Sequence, residues 1–157
     1  MTTPAAIVDE TPSDAFAVEA LVAAAFGPGR FVKTAERLRE RAALAFGLVV
    51  RGDDGVVGSV RLWRIVVGET PALFLGPITV KADQRKALLG ARLVEAAVAR
   101  AQAEGAAGVM LVGDRAYFER LGFEAAPGAV LPGPVDQRRV LWRKISADAP
   151  VGAVAAA

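Results

Sequence analysis

The pattern of hydrophobic and polar positions divides the first half of the chain into helices followed by strands. Phe16, Leu21 and Val22 recur at helical spacing and mark the apolar side of the first helix, for which Ser13 or Asp14 is the N-cap. The predicted elements are a short strand at 6–8, helices at 15–26 and 32–45, and strands at 47–51, 56–67 and 72–80. We expect the last three strands to form an antiparallel meander, because only short turns separate them.

The second half of the chain begins with a long amphipathic helix that ends at Gly105. The apolar run GVMLV at 108–112 predicts a buried strand, which must lie parallel to the strand before the helix if the crossover is right-handed. Asp114 is the predicted N-cap of a short helix at 115–121, and Gly122 is expected in the left-handed conformation after it. A last strand is predicted at 139–145.

This order of elements predicts an α+β fold, with a mixed, mainly antiparallel sheet flanked by helices. At 157 residues we expect one domain over 1–146, followed by a flexible, alanine-rich tail at 147–157. The charged residues of the second helix are predicted to form a solvated surface. They include Arg37, Arg39, Glu40 and Arg41.

Composition removes several classes of chemistry. The chain has no cysteine and no histidine, which excludes disulfides, thiolate nucleophiles, Ser–His–Asp triads and nearly all zinc sites, so no metal site is expected. No apolar run is long enough for a membrane span, and a net charge of +2 is weak support for nucleic acid binding. The first residues lack the basic segment of a secretory signal, so we expect a cytoplasmic protein.

The segment 75–105 has the order strand, polar loop, helix, which is typical of an anion-binding site. The first N–H groups of a helix have no internal partner and carry the positive end of the helix dipole. Lys81, Arg85 and Lys86 crowd this helix start, where each cation is unfavourable by several tenths of a kcal/mol unless an anion is present. The segment therefore predicts a bound phosphate.

Several phrases of the sequence carry a resemblance to a known family. They are AFGPGRFVKTAERLRE at 25–40, VGSVRLW at 57–63, LGPITV at 75–80, LVGDRAYFERLGF at 111–123 and LPGP at 131–134. Together they resemble the GNAT superfamily of N-acetyltransferases, in particular a bacterial subgroup of predicted acetyltransferases. The resemblance implies a GNAT-like acyl-CoA N-acyltransferase fold and acetyl-CoA as co-substrate. It also implies direct attack of an amine, from a small molecule or a protein, in a ternary complex. It leaves a homodimer open, and places the acceptor near 27–32 and 127–134.

The resemblance also implies which residues hold acetyl-CoA. The family pattern at the pyrophosphate is Gln or Arg, two residues, Gly, one residue, then Gly or Ala. In this sequence the pattern begins at Arg85 and ends at Gly90, with Leu88 in place of the first glycine. The expected acetyl-CoA contacts are Ile78, Thr79, Val80, Arg85, Lys86, Ala87, Leu88, Leu89, Gly90 and Ala91.

A catalytic acid is harder to assign. The family often has a tyrosine four residues before the glycine of a Gly-Phe pair, placed to protonate the leaving thiolate. Here that residue is Phe118, and the single tyrosine, Tyr117, lies about 100° further round the helix. Tyr117 is the candidate acid, with a partly exposed aromatic residue as the alternative. Two acids, Glu69 and Asp114, lie near the site, but neither is assigned a catalytic role, because Glu69 is more simply a polar turn residue and Asp114 an N-cap.

Two further functions stay open at this point. One is a GNAT-like fold that has lost acetyl transfer and binds a ligand or partner. The other is an interaction module without acetyl-CoA, in which Leu88 and Leu89 only pack the helix onto the sheet.

Overall fold

The computed structural model of the protein describes residues 6–53, 55–82 and 88–157. The helices are α1 (Ala15–Phe26), α2 (Thr34–Arg41), α3 (Leu89–Ala103) and α4 (Arg115–Glu119), with short 3-10 turns at Pro12–Asp14, Pro28–Val32 and Gln137–Arg139. The strands are β1 (Ile7–Asp9), β2 (Leu44–Gly52), β3 (Gly55–Val67), β4 (Thr70–Val80), β5 (Gly108–Val112), β6 (Glu124–Ala125), β7 (Ala129–Val130), β8 (Val140–Lys144) and β9 (Gly152–Ala156). None of the helices in the described ranges is long and apolar enough to cross a membrane.

The strands form a mixed, mainly antiparallel sheet in the order β1-β2-β3-β4-β5-β8-β6. Strands β2 to β4 are the antiparallel meander that the short turns between them predict, and β1, which precedes α1 and α2, pairs antiparallel with β2. Strand β5 then pairs with β4 in parallel, after the α3 crossover. The expected fold class is therefore confirmed.

Helices cover both faces of the sheet. On one face, Leu89, Leu93 and Val94 of α3 pack in the largest core cluster with residues of the central strands. On the other face, Val18 and Val22 of α1 pack on Val49 of β2, and both α1 side chains are fully buried. The sheet is thus the middle layer of the molecule, and its edges are where a ligand can enter.

The predicted apolar side of the first helix is wrong. Phe16 is 87% exposed, whereas Val18 and Val22 face the sheet. Alanine and other apolar residues lie on all sides of α1, so helical spacing alone does not select the buried side. The second helix is also shorter than predicted, because Leu44 and Ala45 already belong to β2.

The C-terminal residues do not form the frayed tail expected over 147–157. Strand β9 pairs antiparallel with β3 from Ile65 to Val67, and in parallel with β7. Strand β2 pairs with β3 only from Gly55 to Trp63, so the same edge of β3 beyond Trp63 can pair with another strand. Val154 of β9 is buried in the second core cluster, which ties this segment to the domain.

Candidate active site

The candidate site is a cleft where β4 and β5 separate. Their parallel pairing is confined to Leu73 with Val109 and Phe74 with Met110. Beyond these pairs β4 continues along β3, while β5 continues along β8. The carboxyl ends of the two strands therefore move apart and open a cavity of about 460 Å³ at one edge of the sheet. Such an opening at the carboxyl ends of parallel strands is a common place for a ligand.

A bulge in β4 shapes the wall of this cleft. Leu62 of β3 pairs with Leu75, but Val60 pairs with Ile78, so β4 carries one extra residue between the two pairs. The extra length falls at Gly76-Pro77, and the Gly76 carbonyl accepts a hydrogen bond from Trp63 Nε1 at 2.5 Å. The bulge directs this part of β4 toward the cleft, where residues 75–78 form one wall.

The start of α3 has an unusual backbone conformation. Leu88 is the N-cap of α3, with φ 56° and ψ 27°. Among the described residues it is the one non-glycine residue with a positive φ, a conformation that costs an L-residue roughly 1–2 kcal/mol. The position at which the family pattern has glycine therefore keeps the backbone geometry that glycine favours.

The neighbouring leucines have different roles. Leu89 is buried at 3% exposure in the main core, whereas the Leu88 side chain is 72% exposed. The idea that both residues only pack α3 onto the sheet is therefore wrong for Leu88. An exposed leucine held in a left-handed conformation contributes little to packing.

The structure brings the described acetyl-CoA candidates together. Ile78 lines the cleft, and Val80 Cγ2 lies 3.8 Å from the position of a Cβ built on Gly90, so the end of β4 adjoins the start of α3. Thr79 is buried, its hydroxyl is 3.0 Å from the Ser59 hydroxyl, and the two residues are partners in the pairing of β3 with β4. Ala91 is half-buried in the first turn of α3. Arg85, Lys86 and Ala87 lie outside the described residues.

The two aromatic residues of α4 face different parts of the site. Phe118 is 8% exposed, lines the cleft and packs edge-on against Phe123, with a centroid separation of 5.6 Å. Tyr117 is 38% exposed, and its hydroxyl is 3.5 Å from the Cβ position at Gly90. The cleft wall is thus made by Phe118, while Tyr117 reaches the start of α3.

The two acids left unassigned by sequence have structural positions. Asp114 Oδ1 accepts a hydrogen bond from the Ala116 N–H at 3.0 Å, which confirms it as the N-cap of α4. Glu69 is exposed in the turn between β3 and β4, at the opposite end of β4 from the cleft.

Sequence reasoning missed the charged side of the cleft. The missed residues that line it are Lys33, Thr34, Glu36, Arg39, Asp136 and Arg139, whereas Arg30, which also lines it, lies in the segment 27–32 where the acceptor is expected. Thr34 Oγ1 donates to the Pro134 carbonyl at 2.6 Å, which joins the start of α2 to a loop one hundred residues away. The sequence offered only a weak signal for the set, namely the i,i+3 pair of Glu36 and Arg39.

Arg39 does not lie on a solvated surface as predicted. Its Nη2 donates to Glu36 Oε2 at 2.8 Å, with both side chains 13% exposed, and its guanidinium lies 5.9 Å from the centre of the Phe74 ring. Burial lowers the pKa of Arg39 from its ordinary value, and the hydrogen bond to Glu36 partly offsets this effect.

On the opposite wall of the cleft, hydrogen bonds from the Arg138 side chain and backbone hold the pKa of Asp136 below its usual range. Asp136 is therefore a carboxylate at neutral pH.

The separated parallel strands, the β4 bulge and the helix start define an acyl-CoA-type transferase site. Residues 15–123 match the Acetyltransferase (GNAT) family, and the chain belongs to this family. The uncharacterised N-acetyltransferase YhbS of Escherichia coli K12 is 32% identical over 120 residues, which cover 74% of this chain and 72% of YhbS. Membership confirms the fold, the acyltransferase class and acetyl-CoA as the co-substrate of that class.

Solved structures support the same family. The crystal structure of E. coli YhbS in complex with CoA superposes with a TM-score of 0.83 at 27% identity, over 100% of this chain and 93% of YhbS. A GNAT family acetyltransferase from Brucella melitensis in complex with acetyl-CoA gives a TM-score of 0.76 at 26% identity, over 97% of this chain and 95% of its own.

Proposed function

We propose that this protein transfers the acetyl group of acetyl-CoA to an amine acceptor, in a ternary complex and in the cytoplasm. The observation that carries the proposal is the opening between β4 and β5 beside the first turn of α3, with Leu88 in the left-handed conformation. This arrangement provides a channel for the extended pantetheine arm of acetyl-CoA, and the channel ends at a helix N-terminus suited to phosphate.

The donor half of the site uses backbone groups for the most part. The N–H groups of the first turn of α3, including Gly90 and Ala91, are available to the pyrophosphate, because early helical N–H groups lack an intrahelical partner. Arg85, Lys86 and Ala87 complete this loop in the proposal. The end of β4 at Thr79 and Val80 would bind the pantetheine arm, because it lies beyond the residues of β4 that pair with β5.

Acetyl-CoA supplies an acetyl thioester, an acyl group already activated for attack. The acceptor nitrogen forms the new C–N bond, and the C–S bond breaks. The proton released by the amine goes to solvent or to a carboxylate of the cleft, and the thiolate takes up a proton as CoA leaves. Glu36 and Asp136 are the carboxylates in the described lining of the cleft. Of the two, Asp136 is held ionised by Arg138.

The role of Tyr117 is a testable part of the proposal. Its hydroxyl lies beside Gly90, which favours a contact with the donor at the start of α3 over protonation of the thiolate. We therefore expect Tyr117→Phe to raise the KM for acetyl-CoA several-fold while kcat changes less than twofold. If Tyr117 is instead the acid suggested by the family pattern, kcat falls by about 10²–10⁴-fold and KM stays constant. Steady-state kinetics over a range of pH distinguishes the two.

Leu88 provides a second test of the donor site. Leu88→Gly should raise the free energy of unfolding by up to about 1 kcal/mol, because glycine adopts the left-handed conformation without a steric cost. It should also tighten acetyl-CoA binding several-fold, since it removes a bulky exposed side chain from the loop. Urea denaturation and calorimetric titration measure the two effects.

The matched control for Leu88→Gly is Leu88→Ala, which removes bulk but keeps Cβ. It should improve binding without the gain in stability. Weaker binding in both variants would show that the leucine side chain contributes a contact to the donor.

Loss of acetyl transfer, with ligand binding retained, is the second candidate function. The observation that favours it is Phe118, which lines the cleft on the helix where family members often have the acidic tyrosine. Release of free thiol from acetyl-CoA, measured with a panel of primary amines, tests the proposed function. Thiol release that depends on one class of amine supports transfer. A protein that binds acetyl-CoA but releases no thiol with any amine would support the second function.

A further inference from the structure

Among the described residues, the acceptor half of the cleft contains more positive than negative side chains. Four of the described residues that line it are cations, namely Arg30, Lys33, Arg39 and Arg139. Two carboxylates line it, Glu36 and Asp136. A simple amine is itself a cation at neutral pH, so this lining would repel it. The imbalance points to an acceptor with negative charge of its own.

Ion pairs decide which of these cations face the cleft with their charge uncompensated. Glu36 is paired with Arg39 at 2.8 Å. Asp136 is paired with Arg138 at 3.0 Å, and Arg138 does not line the cleft. A cation outside the cleft therefore compensates one of its two carboxylates. Arg30 Nη2 is 3.2 Å from Glu19 Oε2, so its charge is also compensated from outside.

Lys33 and Arg139 remain. Within the described part of the chain, neither forms an ion pair within 4.0 Å, and the charge of Arg139 acts on Asp136 only from a longer distance, where it helps to lower the pKa of that carboxyl. Arg139 Nε donates to the Gly113 carbonyl at 3.3 Å, and Arg139 as a residue is exposed. Lys33 is exposed at the start of α2, on the other wall of the cleft. Each of the two walls thus presents one cation that forms no ion pair among the described residues, Lys33 on one and Arg139 on the other.

The buried ion pair of Arg39 and Glu36 places a guanidinium near the transfer point. Its Nη1 lies 3.0 Å from the Cβ position at Gly76, so the guanidinium adjoins the β4 bulge. Its Nε is buried and has no hydrogen-bond partner among the described residues. Charges in such a water-poor site act more strongly than charges in solvent. Because Glu36 compensates Arg39, the positive charge that favours an anionic acceptor lies at Lys33 and Arg139.

We propose, on the basis of the proposed function, that the acceptor is a small amine that also carries an anionic group, a carboxylate or a phosphate. Lys33 and Arg139 hold the anionic group, and the amine is directed toward the β4 bulge. Arg139 can offer two parallel N–H donors to two oxygens of the same anion, while Lys33 acts as a point charge. The cleft volume of about 460 Å³ lies within the range of small-molecule sites.

The experiment compares matched pairs of amines at saturating acetyl-CoA, with rates expressed per unit of unprotonated amine. One arm compares β-alanine with its amide, and the other compares 2-aminoethyl phosphate with ethanolamine. We expect kcat/KM for the anionic member of at least one pair to exceed that of the neutral member by about tenfold or more, the effect of one charge-assisted contact. The arm with the larger ratio identifies the anion as carboxylate or phosphate.

Two variants test the assigned residues. Lys33→Gln and Arg139→Gln should each reduce the ratio several-fold and reduce the thermal shift caused by the anionic amine in the presence of CoA. Both residues are exposed, so the variants should fold normally. Arg41→Gln is the matched control, because Arg41 is exposed at the end of the same helix, α2, but does not line the cleft. It should keep the wild-type ratio.

Equal or better rates with the neutral amines, or an unchanged ratio in both variants, would overturn the inference while leaving acetyl transfer intact. Failure of acetyl-CoA to bind would overturn the proposed function, and the inference with it.

Discussion

Replacing Gly90 with aspartate is expected to weaken acetyl-CoA binding by two orders of magnitude without destabilising the protein. Gly90 is the second residue of α3, where an acidic side chain is favourable to the helix dipole. A Cβ at this position meets only the Tyr117 hydroxyl at 3.5 Å and Val80 Cγ2 at 3.8 Å, which are ordinary contacts. The new carboxylate would lie close to the proposed pyrophosphate site. Repulsion of one charge at ~5 Å amounts to about 3 kcal/mol at an effective dielectric constant of ~20.

Calorimetric titration with acetyl-CoA, together with urea denaturation, checks both parts of this expectation. Gly90→Ala is the control, because it adds the Cβ without the charge and should bind within several-fold of the wild type. If Gly90→Asp binds acetyl-CoA as well as Gly90→Ala does, the phosphates do not lie at the start of α3.

Replacing Arg61 with methionine is expected to cause the largest loss of stability. Arg61 of β3 is 9% exposed and joins the sheet to the first helical layer. Its guanidinium donates twice to Glu10, at 3.0 Å each, and once to Glu19 at 2.5 Å. The Glu10 side chain is only 8% exposed, so removal of the arginine leaves a buried carboxylate without its ion pair. Such a loss costs about 3 kcal/mol or more, or roughly 6–12 °C in Tm for a protein of this size.

The control for Arg61 is Arg100→Met. Arg100 pairs with Asp9 at 2.7 Å, but the two side chains are 38% and 61% exposed. Solvent screens such a pair, so loss of Arg100 should destabilise the protein far less than loss of Arg61. Equal effects of the two substitutions on urea denaturation would mean that the Arg61 network is not buried in solution.

Local sequence signals predicted the parts of the fold that depend on neighbouring residues. Strand β5 has the predicted bounds, Gly108–Val112, because a short apolar run between glycine and polar residues leaves few alternatives. Asp114 was identified as a cap because a capping side chain acts within two residues of its own position. In contrast, β9 depends on an open edge of β3 that lies about ninety residues earlier in the chain. The sequence near Val154 therefore contains no local pattern that predicts its pairing with β3.

The same distinction applies to the site. Its donor half lies on one continuous segment, so a strand, a loop and a helix start were enough to indicate an anion site. The acceptor half combines α2 with residues 134–139, which only the tertiary fold brings together through contacts such as Thr34 with Pro134. The left-handed conformation of Leu88 was also hidden, since leucine gives no signal for a positive φ. The exposure of the Leu88 side chain, which only the structure shows, is what rules out a packing role for this residue.

The most direct test of the central claim is the melting temperature of the wild-type protein in a titration with acetyl-CoA. A ligand at about one hundred times its Kd stabilises the folded state by ~2.7 kcal/mol, which corresponds to a rise of roughly 5–11 °C for a chain of this length. We predict a shift of this size at millimolar acetyl-CoA, and little or none for Gly90→Asp. An unchanged melting temperature of the wild type at millimolar acetyl-CoA would contradict an acetyl-CoA site between β4, β5 and α3.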